Sequence, residues 1–198
     1  MEITADQVKE LRQRTGIGVM ECKEALAECQ GDIEKAISVL RKKGAARAQE
    51  RMDREASQGI VHSYIHMEGK LGVLVEVNCE SDFVARNEEF KGLAKNIAMQ
   101  IAAANPRFVS SADIPEADLE QEKEIIRGQL QDTKKPPQII EKIVEGKLKK
   151  FYEEICLLNQ PYIKDDKMTV HELIASFIAK FGENIKVRRF ARFELGKN

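Results

Sequence analysis

The sequence predicts an α+β protein in three parts: an N-terminal three-helix bundle over residues 1–44, a linker helix over 45–57, and a core domain over 58–198 in which helices flank a small antiparallel sheet. Three observations lead there. Helix start and stop signals crowd the first 44 residues. Two runs, Gly59–Met67 and Leu71–Asn78, alternate apolar and polar residues about a Glu68-Gly69-Lys70 turn, which is the pattern of a hairpin. Apolar stripes at helical spacing then recur in the second half of the chain.

In the bundle, Thr4 and Gln7 form a capping box, and Ile3 and Val8 stand where a hydrophobic staple belongs. Gly16 ends the first helix. A second helix is expected over Gly18–Gln30, with Met20, Cys22, Ala25, Leu26 and Cys29 apolar and Gly31 as its stop. Asp32 caps a third, which carries Ile33, Ala36, Ile37 and Leu40 and closes at Gly44. Residues 45–57 are charged and Ala-rich, and read as a solvated linker helix.

After the hairpin, Asn87 caps a long helix that buries Phe90, Leu93, Ala94, Ile97 and Ile101 and ends at Asn105-Pro106. A helix over Glu116–Gln131 and a break over Lys134–Pro137 follow. A helix of about twenty residues from Gln138 then presents Ile139, Ile140, Ile143, Val144, Leu148, Phe151 and Ile155. A loop surrounds Asn159-Gln160-Pro161. Thr169 and Glu172 make a second capping box, and Gly182 closes the helix that holds Leu173, Ile174, Phe177 and Ile178. The last strand, Ile185–Leu195, is expected to turn Ile185, Val187, Ala191, Phe193 and Leu195 inward and Lys186, Arg188, Arg192 and Glu194 outward. Its free edge needs covering by a helix or a second subunit.

Composition narrows the function. The 198 residues are 42% hydrophobic and 33% charged, which fits a folded chain. No stretch approaches the roughly 20 apolar residues that span a bilayer, and Met1–Asp6 lacks the order of a secretory signal, so a cytoplasmic protein with no membrane partner is expected. A net charge of −1 argues against general nucleic-acid binding, although Lys149-Lys150 and Arg188-Arg189 keep a ribosome- or RNA-associated role as the alternative. Cys22, Cys29, Cys79 and Cys156 form no C-x-x-C pair and read as reduced thiols. There is no phosphate-loop motif, and Gly16-Ile17-Gly18 lacks the third glycine of a dinucleotide fingerprint. His62 and His66 have no third ligand nearby, and His171-Glu172 lacks the second histidine of a zincin helix. No catalytic residue, metal site or cofactor is assigned; a small enzyme built on His171 or Cys156 has no recognisable constellation.

Two places suit a protein partner instead. Asp82 and Phe83 follow a strand end and precede a helix, so that a tight loop presents them; the competing reading buries Phe83 and gives Asp82 an Asx-turn. Arg12, Val19, Met20 and Lys23 lie on or beside the first turn of the bundle, where apolar groups ringed by charge suit an interface, unless Met20 belongs to the core.

Six stretches carry a resemblance: V-K-E-L-R-Q-R-T-G-I-G-V-M-E-C-K from Val8 to Lys23, V-N-C-E-S-D-F-V-A-R from Val77 to Arg86, I-A-M-Q-I-A-A-A-N-P from Ile97 to Pro106, V-E-G-K-L-K-K-F from Val144 to Phe151, N-Q-P-Y from Asn159 to Tyr162, and R-F-E-L-G from Arg192 to Gly196. In that order they resemble the elongation factor Ts family along essentially the whole chain. The family usually has alanine at Ile17, two methionines at Val19-Met20, aspartate at Glu21 and threonine at Ser81, and some members have histidine at Gln100. The resemblance implies a UBA-like bundle and a non-enzymatic guanine-nucleotide exchange factor that binds EF-Tu, both GDP-bound and nucleotide-free, in protein biosynthesis. It implies that Ser81, Asp82, Phe83 and Val84 enter EF-Tu near its magnesium ion, that Arg12, Val19, Met20 and Lys23 grip its GTPase domain, and that Gln100 is a further contact. Longer members carry the core twice, with an added helical hairpin. The single copy here implies a homodimer without that hairpin.

Overall fold

The computed structural model describes residues 3–130 and 136–197. In chain order the elements are α1 (Ala5–Thr15), α2 (Val19–Glu28), α3 (Ile33–Arg51), β1 (Gln58–His66), β2 (Leu71–Cys79), α4 (Asp82–Ala85), α5 (Glu88–Ala104), α6 (Glu116–Gly128), α7 (Pro137–Ile155), β3 (Pro161–Tyr162), β4 (Asp165–Thr169), α8 (Val170–Phe181) and β5 (Ile185–Glu194). Three strands form a sheet in the order β1-β2-β5, and β3 and β4 form a separate antiparallel pair. The start of β1 meets the end of β2 at Gln58 and Asn78, and the start of β2 meets the end of β5 through the Leu195 amide and the Lys70 carbonyl. Both pairings are therefore antiparallel. The chain folds as two compact units, one of residues 1–60, 77–91 and 172–186, the other of 61–76, 92–171 and 187–198.

The first unit opens with the bundle. The Thr4–Gln7 capping box forms, Gly16 takes φ 69° to close α1, and the Asp32 carboxylate accepts the Lys35 amide at 3.0 Å. That bond, above all, holds the Asp32 carboxyl below the usual carboxylate range. Leu11, Cys22, Ala25, Leu26, Ala36 and Leu40 make the bundle core, with Ile3 and Val8 packed at its rim.

Gly44 does not end the third helix. α3 runs on to Arg51, so the third bundle helix and the predicted linker helix are one element. Residues 46–51 contain good helix formers and no breaker, so one glycine costs about 1 kcal/mol of propensity and does not stop propagation. Its role is packing. A Cβ at Gly44 would sit 3.1 Å from that of Ala179 on α8. A second close approach lies at the sheet. Gly59 has φ 145°, and a Cβ there would stand 2.1 Å from the Val77 carbonyl oxygen.

In the second unit, α6 and α7 pair around Ile126, Leu130, Val144 and Leu148, with Leu119, Ile140, Ile143 and Tyr152 beside them. This corrects the expectation that a helical hairpin is absent. Ile139, placed on the apolar face by periodicity, is exposed. The predicted end of α6 at Gln131 and Lys134–Lys135 of the predicted break lie outside the described residues; within them α6 closes at Gly128. Gln160 and Pro161 sit at the entry to the β3–β4 pair rather than in a plain loop.

The last strand departs most from its predicted pattern. Ile185 and Val187 are buried as expected. Arg188 and Arg189 are then both exposed, and both reach Glu76, at 3.6 and 2.8 Å. Two successive exposed residues make a break in the in–out alternation, which moves by one position. Beyond it Arg192 turns inward and donates to the Ala102 carbonyl, while Phe193 and Leu195 are 66% and 78% exposed. They join Val61, Ile65 and Leu74 among the exposed apolar side chains, and Ile65 lies across from Gly72.

Replacing Gly59 with alanine forces a side chain into the β2 backbone at a φ that L-residues avoid. The expected cost is about 1–3 kcal/mol or more, read as a lower denaturation midpoint in urea.

Candidate functional site

The site grows from the end of β2. Cys79 is buried, and its thiol donates to the Ser81 carbonyl at 3.2 Å. Burial, then the nearby Glu183 charge, pushes that thiol up to about 11, so it stays protonated at neutral pH. Ser81 is extended, and its hydroxyl accepts the Val84 amide at 3.3 Å, which starts α4. The predicted tight loop is thus the first turn of a four-residue helix. A carboxylate near a helix start is electrostatically favoured, and Asp82 occupies that place.

The turn points its two ends in opposite directions. Val84 and Ala85 are 4% exposed and anchor it, whereas Phe83 is 84% exposed. Asp82 reaches back to Arg86 at 2.6 Å, an exposed pair that adds little to stability. Of the four residues expected at the tip, Asp82 and Phe83 project. Val84 is corrected to a core residue, as i+1 of an outward Phe83 on a helical turn. Ser81 works as a cap.

What holds Ser81 was not anticipated from the sequence. Glu183, on the turn after α8, accepts the Ser81 amide at 2.9 Å and the Ser81 hydroxyl at 2.5 Å. The neighbouring Asn184 is buried; its amide N–H donates to Glu80 at 2.6 Å, and its side chain donates to the carbonyls of Met52 and Arg54 at 3.0 and 2.6 Å. Arg54 also lies 3.8 Å from Glu80. Nothing in the sequence flags Glu183, since an acid after a helix-ending glycine is ordinary on a surface.

The second predicted surface lies in the same unit. Val19 and Met20 are exposed, Met20 by 67%, with Arg12 and Lys23 exposed beside them. The core reading of Met20 therefore falls. Gly16, at the turn, leaves room for Lys180 of α8: a Cβ would stand 2.9 Å from the Lys180 Cε. Lys180 in turn pairs with Glu89 at the start of α5. Arg51 donates to the Ile178 carbonyl at 3.5 Å. One helix, α8, thereby touches the bundle turn, the end of α3 and the segment after the tip.

Gln100 is placed differently from expectation. It is 1% exposed, donates to Gln160 at 3.2 Å and to the Pro161 carbonyl at 3.1 Å, and accepts the Ile163 amide at 2.8 Å. Its amide secures the β3–β4 segment and offers a partner nothing. Cys156 is buried with its thiol raised to about 11 by desolvation, which is the wrong direction for a nucleophile. Burial, then the Lys95 charge, holds the His62 imidazole below its usual range. Among the described residues no group of three His, Cys, Asp or Glu side chains gathers to hold a metal ion, and no helix is long and apolar enough to cross a membrane.

Projecting apolar groups ringed by charge are the pattern found where proteins present side chains to another macromolecule. The chain matches the family model described as Elongation factor TS over residues 4–197, and it belongs to that family of translation elongation factors. It is 59% identical to Elongation factor Ts of Thermodesulfovibrio yellowstonii over 100% of this chain and 98% of that protein. It is 57% identical to Elongation factor Ts of Pseudothermotoga lettingae over 100% of both chains, and 58% identical to that of Coprothermobacter proteolyticus, again over 100% of both.

The two sides of α4 separate stability from recognition. Phe83→Ala is expected to change unfolding free energy by less than about 0.5 kcal/mol, whereas Val84→Ala costs about 1–3 kcal/mol of buried apolar contact. Paired urea titrations read both.

Proposed function

We propose that this chain is a guanine-nucleotide exchange factor for EF-Tu, and that Asp82 and Phe83 are its working groups. The observation that carries the reading is the exposure of Phe83 on a turn that Val84 and Ala85 anchor in the core. A free aromatic ring on a soluble protein is costly to leave in water, and it suits a pocket on a partner. EF-Tu holds GDP through backbone amides, a lysine and Mg²⁺. A ring driven between its packed elements, with a carboxylate beside the groups that order the ion, weakens the counter-charge on the diphosphate. The role is linkage: this chain favours nucleotide-free EF-Tu, and by reciprocity GDP binds the complex more weakly by the same factor. Arg12, Val19, Met20 and Lys23 supply affinity from the bundle turn, and GTP in excess refills the site and releases the factor.

A homodimer in the cytoplasm completes the proposal. Phe193 and Leu195 of β5 are exposed, as are Val61, Ile65 and Leu74 of the same sheet, and a second copy would cover them as one apolar face.

Asp82→Ala with Phe83→Ala is expected to slow stimulated GDP release about tenfold or more, on the order of 1.4 kcal/mol. Release of a fluorescent GDP from EF-Tu measures it, and a wild-type rate overturns the assignment. For the dimer, Phe193→Asp with Leu195→Asp is expected to give a monomer in sedimentation velocity. An unchanged sedimentation coefficient would rule out that face.

A further inference from the structure

A wedge works only if its mount does not yield. α4 has four residues, too few for a helix to be stiff by itself, so the rigidity of Phe83 must come from what holds the Ser81 cap. Within the first unit two short segments cross there. The Ser81 amide donates to the Glu183 carboxylate, and the Asn184 amide donates to the Glu80 carboxylate. Each segment offers one N–H and one carboxylate to the other.

We infer that Glu183 is a positioning residue for nucleotide exchange: with Glu80 and Asn184 it clasps the base of α4, so that Asp82 and Phe83 meet the partner as a rigid tip. The inference rests on the exchange reading above and names the support that reading requires. Both Glu183 oxygens are spent on Ser81, one on the amide and one on the hydroxyl. Because the Ser81 oxygen accepts the Val84 amide, its proton must go to Glu183, and the carboxylate thereby fixes the hydroxyl in its capping orientation. A charged acceptor makes such bonds shorter and stronger than neutral ones. The clasp is also tied to the bundle. Asn184 donates to Met52 and Arg54, the residues that leave α3. Force on the tip thus passes to α3, the third helix of the bundle whose first turn carries the second partner surface, and groups held by a locked support act at lower entropic cost on binding.

Glu183 touches no partner in this scheme, so its loss separates rate from affinity. The test is stimulated release of fluorescent GDP from EF-Tu, with the full chain titrated to saturation. Glu183→Ala is expected to lower the maximal rate about tenfold and to shift the half-saturating concentration by less than about threefold, since Val19 and Met20 are untouched. Added to Ser81→Ala, it is expected to cause little further loss, because the two residues act as one unit. Should Glu183→Ala fail to fold, Glu183→Gln carries the test. It has the same size, but sets an NH₂ against a Ser81 donor, and its maximum is expected at about a third of wild type. No stimulation by the wild-type chain overturns the exchange reading and this inference together. Stimulation by wild type with Glu183→Gln at the wild-type maximum, or with Ser81 and Glu183 losses that simply add, overturns the clasp alone.

Discussion

The contact between Glu183 and Ser81 organises the end of β2. These residues stand 102 positions apart, yet one carboxylate satisfies both the backbone and the side-chain donor of a helix cap. Hydrogen bonds to a charged group contribute about 1.5–3 kcal/mol each, enough to hold a turn that has no length of its own. With the cap in place, Val84 and Ala85 enter the core and Phe83 is left in water. The exposure of the ring is a consequence of that geometry.

The same unit uses α8 as a common support. Gly16 leaves space for the Lys180 stem, Gly44 lets α3 approach Ala179, and Lys180 pairs with Glu89. Small residues at these points allow backbones and long side chains to come close, and a Cβ at either position would have to displace something. The bundle turn with Val19 and Met20 and the tip with Asp82 and Phe83 are both built on this support.

In the second unit the deciding feature is the shifted alternation of β5. Were β5 regular, Phe193 and Leu195 would face the core and Arg192 would face water. The break in alternation at Arg188-Arg189 reverses this, and the Arg192 guanidinium reaches the Ala102 carbonyl and Glu194. Phe193 and Leu195 are displayed outside, an arrangement that suits a surface meant to be covered. Arg188 and Arg189 both pair with Glu76.

Local chemistry was legible in the sequence. Capping boxes, stop glycines and the alternation of β1 and β2 depend on neighbours within a few residues, so Thr4, Asp32, Asn87 and the Val73–Val77 stripe could be placed without a fold. The family could be read for the same reason, since its motifs are short and ordered along the chain. Contacts across long separations were not legible. Gly44 looked like a stop because its packing against Ala179 has no local mark; Gln100 looked like a surface residue because its partners at Gln160–Ile163 lie sixty positions away. The side to which Phe193 points departs from the alternation that Ile185 and Val187 begin, and Glu183 reaches Ser81 only when the chain has closed on itself. Sequence periodicity reports which residues share a face; only tertiary structure decides what that face meets.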